Sequence, residues 1–287
     1  MKFFKYFPPE RIYDFFPNFT LKATPPNCFN DVYECFISIP RIDKNTFIKR
    51  FLLDRRDEIL RNAKSGNILD DSVESKLLYN FAKEYPETFN DAYSAKINEY
   101  IKDPTLLENK KNALKQILYS EACRKMGIMC FSRNFNNPLM WGHYTKEHTG
   151  FVAEFELSDE ELNKYSSTVE PKGFGIREVI YTNQIPEMSI NNFYDMKLPK
   201  YFAYTKDLRW SYEEEIRWVI PSELTYKNNL IDMRKEIGDN FLNSITLGIR
   251  AFEIESQMRD ILKKLTNVRL YKAIQSPDNY VISRKLI

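Results

Sequence analysis

The sequence predicts an α+β fold: a mixed, largely antiparallel sheet of about seven short strands with an inserted helical subdomain. Apolar segments of strand length occur near the start of the chain and again after residue 126. Between about residues 43 and 126, apolar residues recur instead at the spacing of a helix. We therefore expect a single domain over residues 1–287, with residues 43–126 as a helical insertion.

Start and stop signals divide the chain further. Pro8-Pro9 predicts a helix start directly after the first strand. Within the insertion, Ser65-Gly66, Pro86 and Asp103-Pro104 separate about four helices. An amphipathic pattern predicts a helix over Ile254–Leu265. The predicted strands outside the central stretch described below are Phe3–Tyr6, Phe19–Ala23, Ile128–Ser132, Phe151–Leu157, Val179–Thr182, Ser244–Ile249, Val268–Ala273 and Tyr280–Arg284.

The composition is that of a globular protein, with 43% hydrophobic and 29% charged residues among 287. The 42 basic and 40 acidic residues leave a formal net charge of +2, which gives no global attraction to nucleic acid or to an anionic membrane. The N-terminal sequence lacks a signal-peptide pattern, and no apolar run is long enough to span a membrane. We expect a cytoplasmic protein without a membrane partner.

The sequence also lacks the patterns of common cofactor sites. Neither of the usual glycine-rich phosphate loops occurs. The four cysteines form no CxxC pair, and the chain has only two histidines, so the spacing of a zinc site is missing. We expect reduced thiols and no bound metal.

The central stretch is Lys206–Pro221, KDLRWSYEEEIRWVIP. As a strand, it places Glu213, Glu215 and Arg217 on one face and an apolar series on the other. As a helix, Glu213 and Arg217 form an ordinary surface pair. Glutamates favour the helix and Trp-Val-Ile favours the strand. We predict a helical turn or irregular chain up to Glu213 and a strand from about Glu215.

Two other segments contain candidate polar residues, one in a turn-rich loop and one among aromatic residues. Asn30 and Asp31 lie in the turn-rich segment TPPNCFNDVYE, where turn formation and backbone capping also explain them. Both histidines, His143 and His148, lie within six positions of each other near Trp141. A lone histidine is more often a structural hydrogen bonder than a catalyst, and the pairing with aromatic neighbours leaves both interpretations open.

Four motifs in one order carry a family resemblance: FND at 29–31, CFS at 130–132, MWGHY at 140–144 and WSYEEEIR at 210–217. Together they resemble a bacterial family known only as domain of unknown function 2971, which shares the pattern FND, CFS, MWxHY and WxYExExR. The resemblance covers the chain apart from the helical insertion. Val32 stands where the family has a proline, so the loop after Asp31 lacks that rigid residue.

The chain also resembles the ADP-ribosyltransferase fold, in particular its DNA-targeting toxin branch. The shared order is a first strand with Lys5 and Tyr6, a middle strand that ends at Ser132, and a late strand with Glu213 and Glu215. This resemblance implies a split sheet, NAD as the substrate, and Glu215 as the catalytic carboxylate. It implies that Glu213 positions the acceptor, and it suggests a toxin or a phage-defence effector.

The residue types suit that chemistry. Cleavage of the nicotinamide glycosidic bond passes through an oxocarbenium-like state, which a fixed carboxylate stabilises. Trp141 and Tyr144 are candidate aromatic walls for the nicotinamide, and His143 is a further catalytic candidate. The pyrophosphate needs cations or hydrogen-bond donors, which Arg217 can supply. The remaining candidates for NAD binding are Lys5, Tyr6, Asn30, Asp31 and Ser132.

Two other classes stay open. A non-catalytic sensor or binding protein would use the helical insertion as a protein interface, with Glu213, Glu215 and Arg217 as a buried salt-bridge network. A nuclease would use Asp31 and the two glutamates with magnesium, although Arg217 beside them opposes metal binding. The sequence does not indicate whether an acceptor is nucleic acid or protein.

Overall fold

The computed structural model describes residues 1–38, 42–67, 73–161, 175–189, 201–222, 229–238, 240–265 and 267–287. The chain forms two compact units. The first comprises Met1–Ile37, Ala122–Pro186 and Lys200–Ile287, and the second comprises Ser38–Glu121 and Glu187–Pro199. The first unit contains the sheet, and the second contains most of the predicted helical insertion.

Strands and helices follow the alternation of short apolar segments and helical spacing. In chain order the strands are β1 (Lys2–Phe7), β2 (Thr20–Lys22), β3 (Met126–Ser132), β4 (Phe151–Glu156), β5 (Gly175–Glu178), β6 (Ile180–Thr182), β7 (Thr205–Asp207), β8 (Glu215–Pro221), β9 (Leu230–Asp232), β10 (Leu242–Leu247), β11 (Arg269–Gln275) and β12 (Ile282–Leu286). The helices are α1 (Ile12–Asn18), α2 (Lys44–Phe47), α3 (Asp54–Ser65), α4 (Val73–Glu84), α5 (Pro86–Lys102), α6 (Pro104–Lys125), α7 (Pro138–Tyr144), α8 (Met233–Ile237) and α9 (Phe252–Leu262).

The main sheet of the first unit has the order β12-β11-β10-β4-β1-β3-β8-β5. Its neighbours are antiparallel except for β10 and β11, which are parallel. Strands β3 and β8 pair continuously, from Met126 opposite Pro221 to Ser132 opposite Glu215. Strands β1 and β3 pair only at Phe4 opposite Ser132. The sheet therefore has a narrow connection between β1 and β3, at its centre.

The two faces of the sheet bury different apolar clusters, because successive side chains of a strand point to opposite faces. Phe3 and Phe7 of β1 belong to the larger cluster, which α1, α8 and α9 cover with side chains such as Phe15 and Met258. Phe4 and Tyr6 belong to a smaller cluster with Met140 and Trp141 of α7. Helix α7 thus covers the face opposite to α1 and α9.

The second unit is helical within its described residues, apart from an isolated bridge between Ser38 and Glu187. A π-helical segment, Ile48–Leu53, joins α2 to α3, and Gly66, with a φ of 81°, ends α3. Helices α5 and α6 begin at Pro86 and Pro104, where proline costs no helical hydrogen bond. Buried side chains of α3, α4 and α5 form an apolar cluster within it: Ile59, Ala63, Tyr79, Ala82 and Phe89.

The predicted fold class is confirmed: the chain is α+β, with a mixed, mostly antiparallel sheet and a helical insertion. Over the described ranges, the main sheet has eight strands where about seven were predicted, and β2 with β9 and β6 with β7 form two separate two-stranded sheets. The strands β5, β7 and β9 were not predicted. The helix after Pro8 begins with a 3₁₀ turn, Pro9–Arg11, before α1. Among the helices described, none is both long and apolar enough to cross a membrane.

Candidate functional site

The chain turns sharply before β8. A 3₁₀ helix covers Leu208–Glu213, and the side chain of Asp207 caps it by accepting a hydrogen bond from the amide of Arg209. Glu214 then takes a left-handed conformation, with φ 44° and ψ 52°. Strand β8 begins at Glu215, as predicted from the conflict between helix-favouring and strand-favouring residues. Because the chain reverses at Glu214, Glu213 and Glu215 both reach the same lysine.

That lysine is Lys206, in β7. Its Nζ lies 2.6 Å from Glu213 Oε2, 3.0 Å from Glu215 Oε2 and 3.6 Å from Glu34 Oε2. Its ammonium group also lies 5.0 Å from the centroid of the Trp210 ring. Three carboxylates from two distant parts of the chain therefore share one buried ammonium group.

Arg217 is the second cation of this group and is completely buried. Its Nε donates to Glu215 Oε1 at 2.8 Å, and one terminal nitrogen donates to Glu215 Oε2 at 3.0 Å. The guanidinium also donates to Glu34 Oε1 and, at 2.7 Å, to the carbonyl of Ala203. We call Glu34, Lys206, Glu213, Glu215 and Arg217 the ion cluster.

Burial and charge act in opposite directions within the ion cluster. Burial alone would raise the pKa of Glu215, but the charges of Arg217 and Lys206 lower it to about 2. For Glu34, burial outweighs the same two cations, and its pKa is raised. Burial would lower the pKa of Lys206, but the carboxylates around it raise it. Glu215 is therefore a carboxylate and Lys206 an ammonium group at neutral pH.

Two tyrosines extend the ion cluster. The hydroxyl of Tyr144, at the end of α7, donates to Glu213 Oε1. The hydroxyl of Tyr181, in β6, accepts a hydrogen bond of 2.8 Å from the amide of Glu215. His143 is exposed, and its ring centroid lies 6.3 Å from those of Tyr144 and Tyr212. The ion cluster is thus bordered by aromatic side chains on the α7 side.

Central strands bring three other predicted residues close by. Ser132 is buried and lies opposite Phe4 on one side and Glu215 on the other. Lys5 Nζ donates to the carbonyl of Cys130 at 2.8 Å, and burial lowers its pKa. The hydroxyl of Tyr6 donates to the carbonyl of Asn134 at 2.8 Å. These residues surround the narrow connection between β1 and β3.

The remaining candidates lie outside the ion cluster. Asn30 is exposed, and Asp31 Oδ1 accepts a hydrogen bond of 2.9 Å from the amide of Tyr33, which is turn chemistry. Trp141 is 0% exposed, and its indole nitrogen donates to the carbonyl of Phe135. We correct the assignment of Trp141 as a pocket wall, because its ring packs against Tyr6 within the core.

Glu34 and Lys206 were absent from the predicted set of site residues. Glu34 follows Asp31 by three positions, and Arg217, its partner, is 183 positions further along the chain. Lys206 opens the same stretch that holds the two predicted glutamates. The available signal is that Lys206 precedes three consecutive glutamates by seven to nine positions, with Trp210 and Tyr212 between them.

A cavity of about 230 Å³ lies beside the ion cluster. Lys206 belongs to both, since it lines the cavity and contacts the carboxylates. A second cavity, of about 620 Å³, lies at the start of β10, between Arg234 and Lys264. In the described part of the chain, no group of three or more His, Cys, Asp or Glu side chains is placed to hold a metal ion.

A family model matches the part of the chain that holds most of the ion cluster. Residues 140–218 match the model of a family described as protein of unknown function (DUF2971). The predicted resemblance is confirmed over these residues, which contain the MWGHY and WSYEEEIR motifs, whereas the FND and CFS motifs lie outside the match. The DUF2971 match begins in α7 and ends in β8, so it includes Tyr144, Lys206 and both glutamates. Neither a curated protein nor a solved structure matches the chain.

Proposed function

We propose that the protein uses NAD, as an ADP-ribosyltransferase or an NAD glycohydrolase, with Glu215 as the catalytic carboxylate. One observation carries the proposal: Phe4, Ser132 and Glu215 lie in direct register on the adjacent strands β1, β3 and β8. They lie in the three strands that carry the resemblance, which are far apart in the sequence, and Phe4 directly precedes Lys5, the first landmark residue. Their convergence at the narrow centre of the sheet supports a shared site.

The chemistry assigned to this site is transfer of a glycosyl group. The bond between C1′ of the ribose and the nicotinamide nitrogen breaks, and nicotinamide leaves with the electron pair. The carboxylate of Glu215, ionised at neutral pH, stabilises the positive charge that develops on the ribose. A hydroxyl or amine of the acceptor, or water, then bonds to C1′ and gives its proton to Glu213.

Neighbouring residues have supporting roles in this proposal. Tyr144 holds Glu213 through its hydroxyl, and His143 lies at the exposed edge of the same aromatic group. Lys5 and Arg217 contribute positive charge near the pyrophosphate. Arg217 is completely buried and its guanidinium is bonded to Glu215, Glu34 and the Ala203 carbonyl, so it is not a direct ligand. The predicted cytoplasmic location, and a role as a toxin or phage-defence effector, belong to the same proposal.

The catalytic role of Glu215 requires that the substrate reach its buried carboxylate. Its residue exposure is 4%, and both carboxylate oxygens accept hydrogen bonds. For a ribose hydroxyl to reach Glu215 Oε2, the ammonium group of Lys206 must leave it. Lys206 can retain Glu213, its nearer partner at 2.6 Å, during that movement. Substrate binding is therefore coupled to a rearrangement of one lysine side chain.

The same burial favours a second candidate function, a non-catalytic binding or sensor protein. A carboxylate whose two oxygens are satisfied is a structural element in many proteins. In this case the ion cluster joins the loop of Glu34 to β8 and β7, and the helical insertion is the proposed protein interface. The two candidates differ in whether Glu215 has a role beyond stability.

Release of nicotinamide from NAD separates them. We expect the wild-type protein to release nicotinamide and Glu215→Gln to be slowed by about 100-fold or more, the size of a lost transition-state contact. Glu214→Gln, an exposed neighbour, is the matched control and should keep full activity. Circular dichroism must show that each variant is folded. If the folded wild type neither binds NAD nor releases nicotinamide, with or without cell lysate, the second candidate holds.

Tyr144→Phe provides a second variant that leaves the charges of the ion cluster intact. It removes the hydroxyl that holds Glu213, so we expect transfer to an acceptor to fall more than the release of nicotinamide into water. Equal effects on both reactions would contradict the role of Glu213 in positioning the acceptor.

A further inference from the structure

The cavity of about 230 Å³ lies against two short strands that also reach the ion cluster. Strands β6 and β7 pair in parallel, with Tyr181 opposite Lys206 and Thr182 opposite Asp207. Tyr181 and Lys206 contact Glu215, while Thr182 and Asp207 line the cavity. On each of the two strands, a residue that contacts Glu215 is therefore followed directly by a residue that lines the cavity.

The cavity walls combine aromatic rings with amide side chains. Tyr33 and Phe36 form an edge-to-face pair with ring centroids 5.9 Å apart. Tyr33 is 54% exposed, so its ring offers area to a ligand. Asn183 and Gln184 are exposed and line the same cavity. Aromatic faces bind planar rings, and side-chain amides pair with rings that carry a donor beside an acceptor.

Charge in the cavity is balanced by the protein itself. Arg209 donates to both carboxylate oxygens of Asp207, at 2.8 and 2.6 Å. The ammonium group of Lys206 is surrounded by the carboxylates of the ion cluster. The part of a ligand that enters the cavity is therefore uncharged, polar at its edge and apolar on its faces.

Size limits the ligand further. Sites for whole small molecules have volumes of roughly 300–1,000 Å³, and this cavity has about 230 Å³. It accommodates one ring system, while the rest of the ligand remains outside. Arg209 lines the cavity, and its side chain is 82% exposed. It lies where the phosphate group of a nucleotide would leave the cavity.

We propose that this cavity binds an adenine-type nucleobase, stacked on Tyr33 and recognised at its edge by Asn183 or Gln184. An amide side chain can pair with the amino group and ring nitrogen of adenine in a bidentate manner, and an unpaired base stacks readily on tyrosine. The base belongs to a free nucleotide, such as the adenosine half of NAD, or to a single strand of nucleic acid. The role of the bound base in glycosyl transfer beside Glu213 rests on the proposed function. Binding of the base in the cavity does not depend on that function.

Binding of AMP, NAD and a short single strand of deoxyadenosine, measured by calorimetry, tests the base site. We expect at least one of them to bind, and Tyr33→Ala and the double variant Asn183→Ala/Gln184→Ala to weaken its binding about tenfold or more. Tyr280→Ala is the matched control, because Tyr280 is 98% exposed and lies in the turn between β11 and β12. It should bind like the wild type.

The ligand that binds identifies the source of the base. Binding of NAD and AMP without the strand assigns the cavity to free nucleotides, and binding of the strand assigns it to nucleic acid. The proposal is wrong if none of the three binds at millimolar concentration, or if Tyr33→Ala and the double variant Asn183→Ala/Gln184→Ala leave binding unchanged. Base binding that depends on Tyr33, in a protein that releases no nicotinamide, would retain this site and reject the proposed enzyme.

Discussion

Glu215→Gln is expected to destabilise the first unit strongly, because the change removes one charge from a buried group of five. The pKa of Glu215 falls from 4.5 in a free side chain to about 2 in the folded protein. Each tenfold change in proton affinity corresponds to about 1.4 kcal/mol, so the charged form contributes about 3 kcal/mol to folding. Loss of one partner from a buried ion pair typically costs about 3–5 kcal/mol. We expect a loss near the lower value, because Glu34 and Glu213 still face Arg217 and Lys206.

The lowered pKa of Glu215 also predicts how the stability difference between the wild type and Glu215→Gln changes with pH. The folded-state pKa of Glu215 lies below the unfolded value, so its contribution is complete above about pH 4.5 and disappears as the pH falls towards 2. The difference between the wild type and Glu215→Gln should therefore be about 3 kcal/mol at pH 7 and should shrink below pH 4.5. Glu34, with a raised pKa, remains in both proteins, so its contribution is shared to first order.

Urea unfolding followed by tryptophan fluorescence is a suitable assay. All three tryptophans, Trp141, Trp210 and Trp218, lie in the first unit, so the signal reports on the unit that contains the ion cluster. The exposed control Glu214→Gln should stay within about 0.5 kcal/mol of the wild type. Equal stability of Glu215→Gln and the wild type at pH 7 would refute the assigned burial and pairing of Glu215. A difference that does not change with pH would refute the charge argument.

Other predictions concern the sheet and the thiols. Gly150→Ala should destabilise the protein by about 1–3 kcal/mol, because an added Cβ would lie 2.0 Å from the carbonyl oxygen of Phe7. Gly142→Ala, in α7 with nothing within 4 Å, should raise stability by about 0.5–1 kcal/mol; thermal unfolding checks both, and a stabilising Gly150→Ala would contradict the packing. Cys28 is exposed, whereas burial raises the pKa of the Cys35 thiol to about 12. A thiol reagent at neutral pH should therefore modify Cys28 first, and a rapid phase that survives in Cys28→Ser would contradict this assignment.

The sequence predicted the elements of the fold better than their arrangement. Periodicity and proline positions indicate the helices of the second unit, because each of these signals is local. The order of the main sheet is not local: β1 pairs with β3 and β4, across the helical insertion. The short apolar segment Phe3–Tyr6 predicts a strand but does not indicate which strands pair with it.

For the candidate site, too, the sequence predicted local features correctly and missed contacts that depend on tertiary structure. The conflict between three glutamates and Trp-Val-Ile correctly placed the start of a strand at Glu215, because both preferences act within a few residues. Glu34 was missed, since its contact with Arg217 depends on tertiary structure. Trp141 was assigned to a pocket wall because sequence alone does not distinguish a ring that lines a pocket from one that fills the core.

The most direct test of the proposed function is an experimental structure with a non-hydrolysable NAD analogue. We expect the ribose next to the nicotinamide to lie within hydrogen-bond distance of Glu215, with the Lys206 ammonium group moved away from Oε2 and Arg217 still bonded to Oε1. An analogue bound elsewhere, with Lys206 still 3.0 Å from Glu215 Oε2, would contradict the assignment of Glu215 as the catalytic carboxylate.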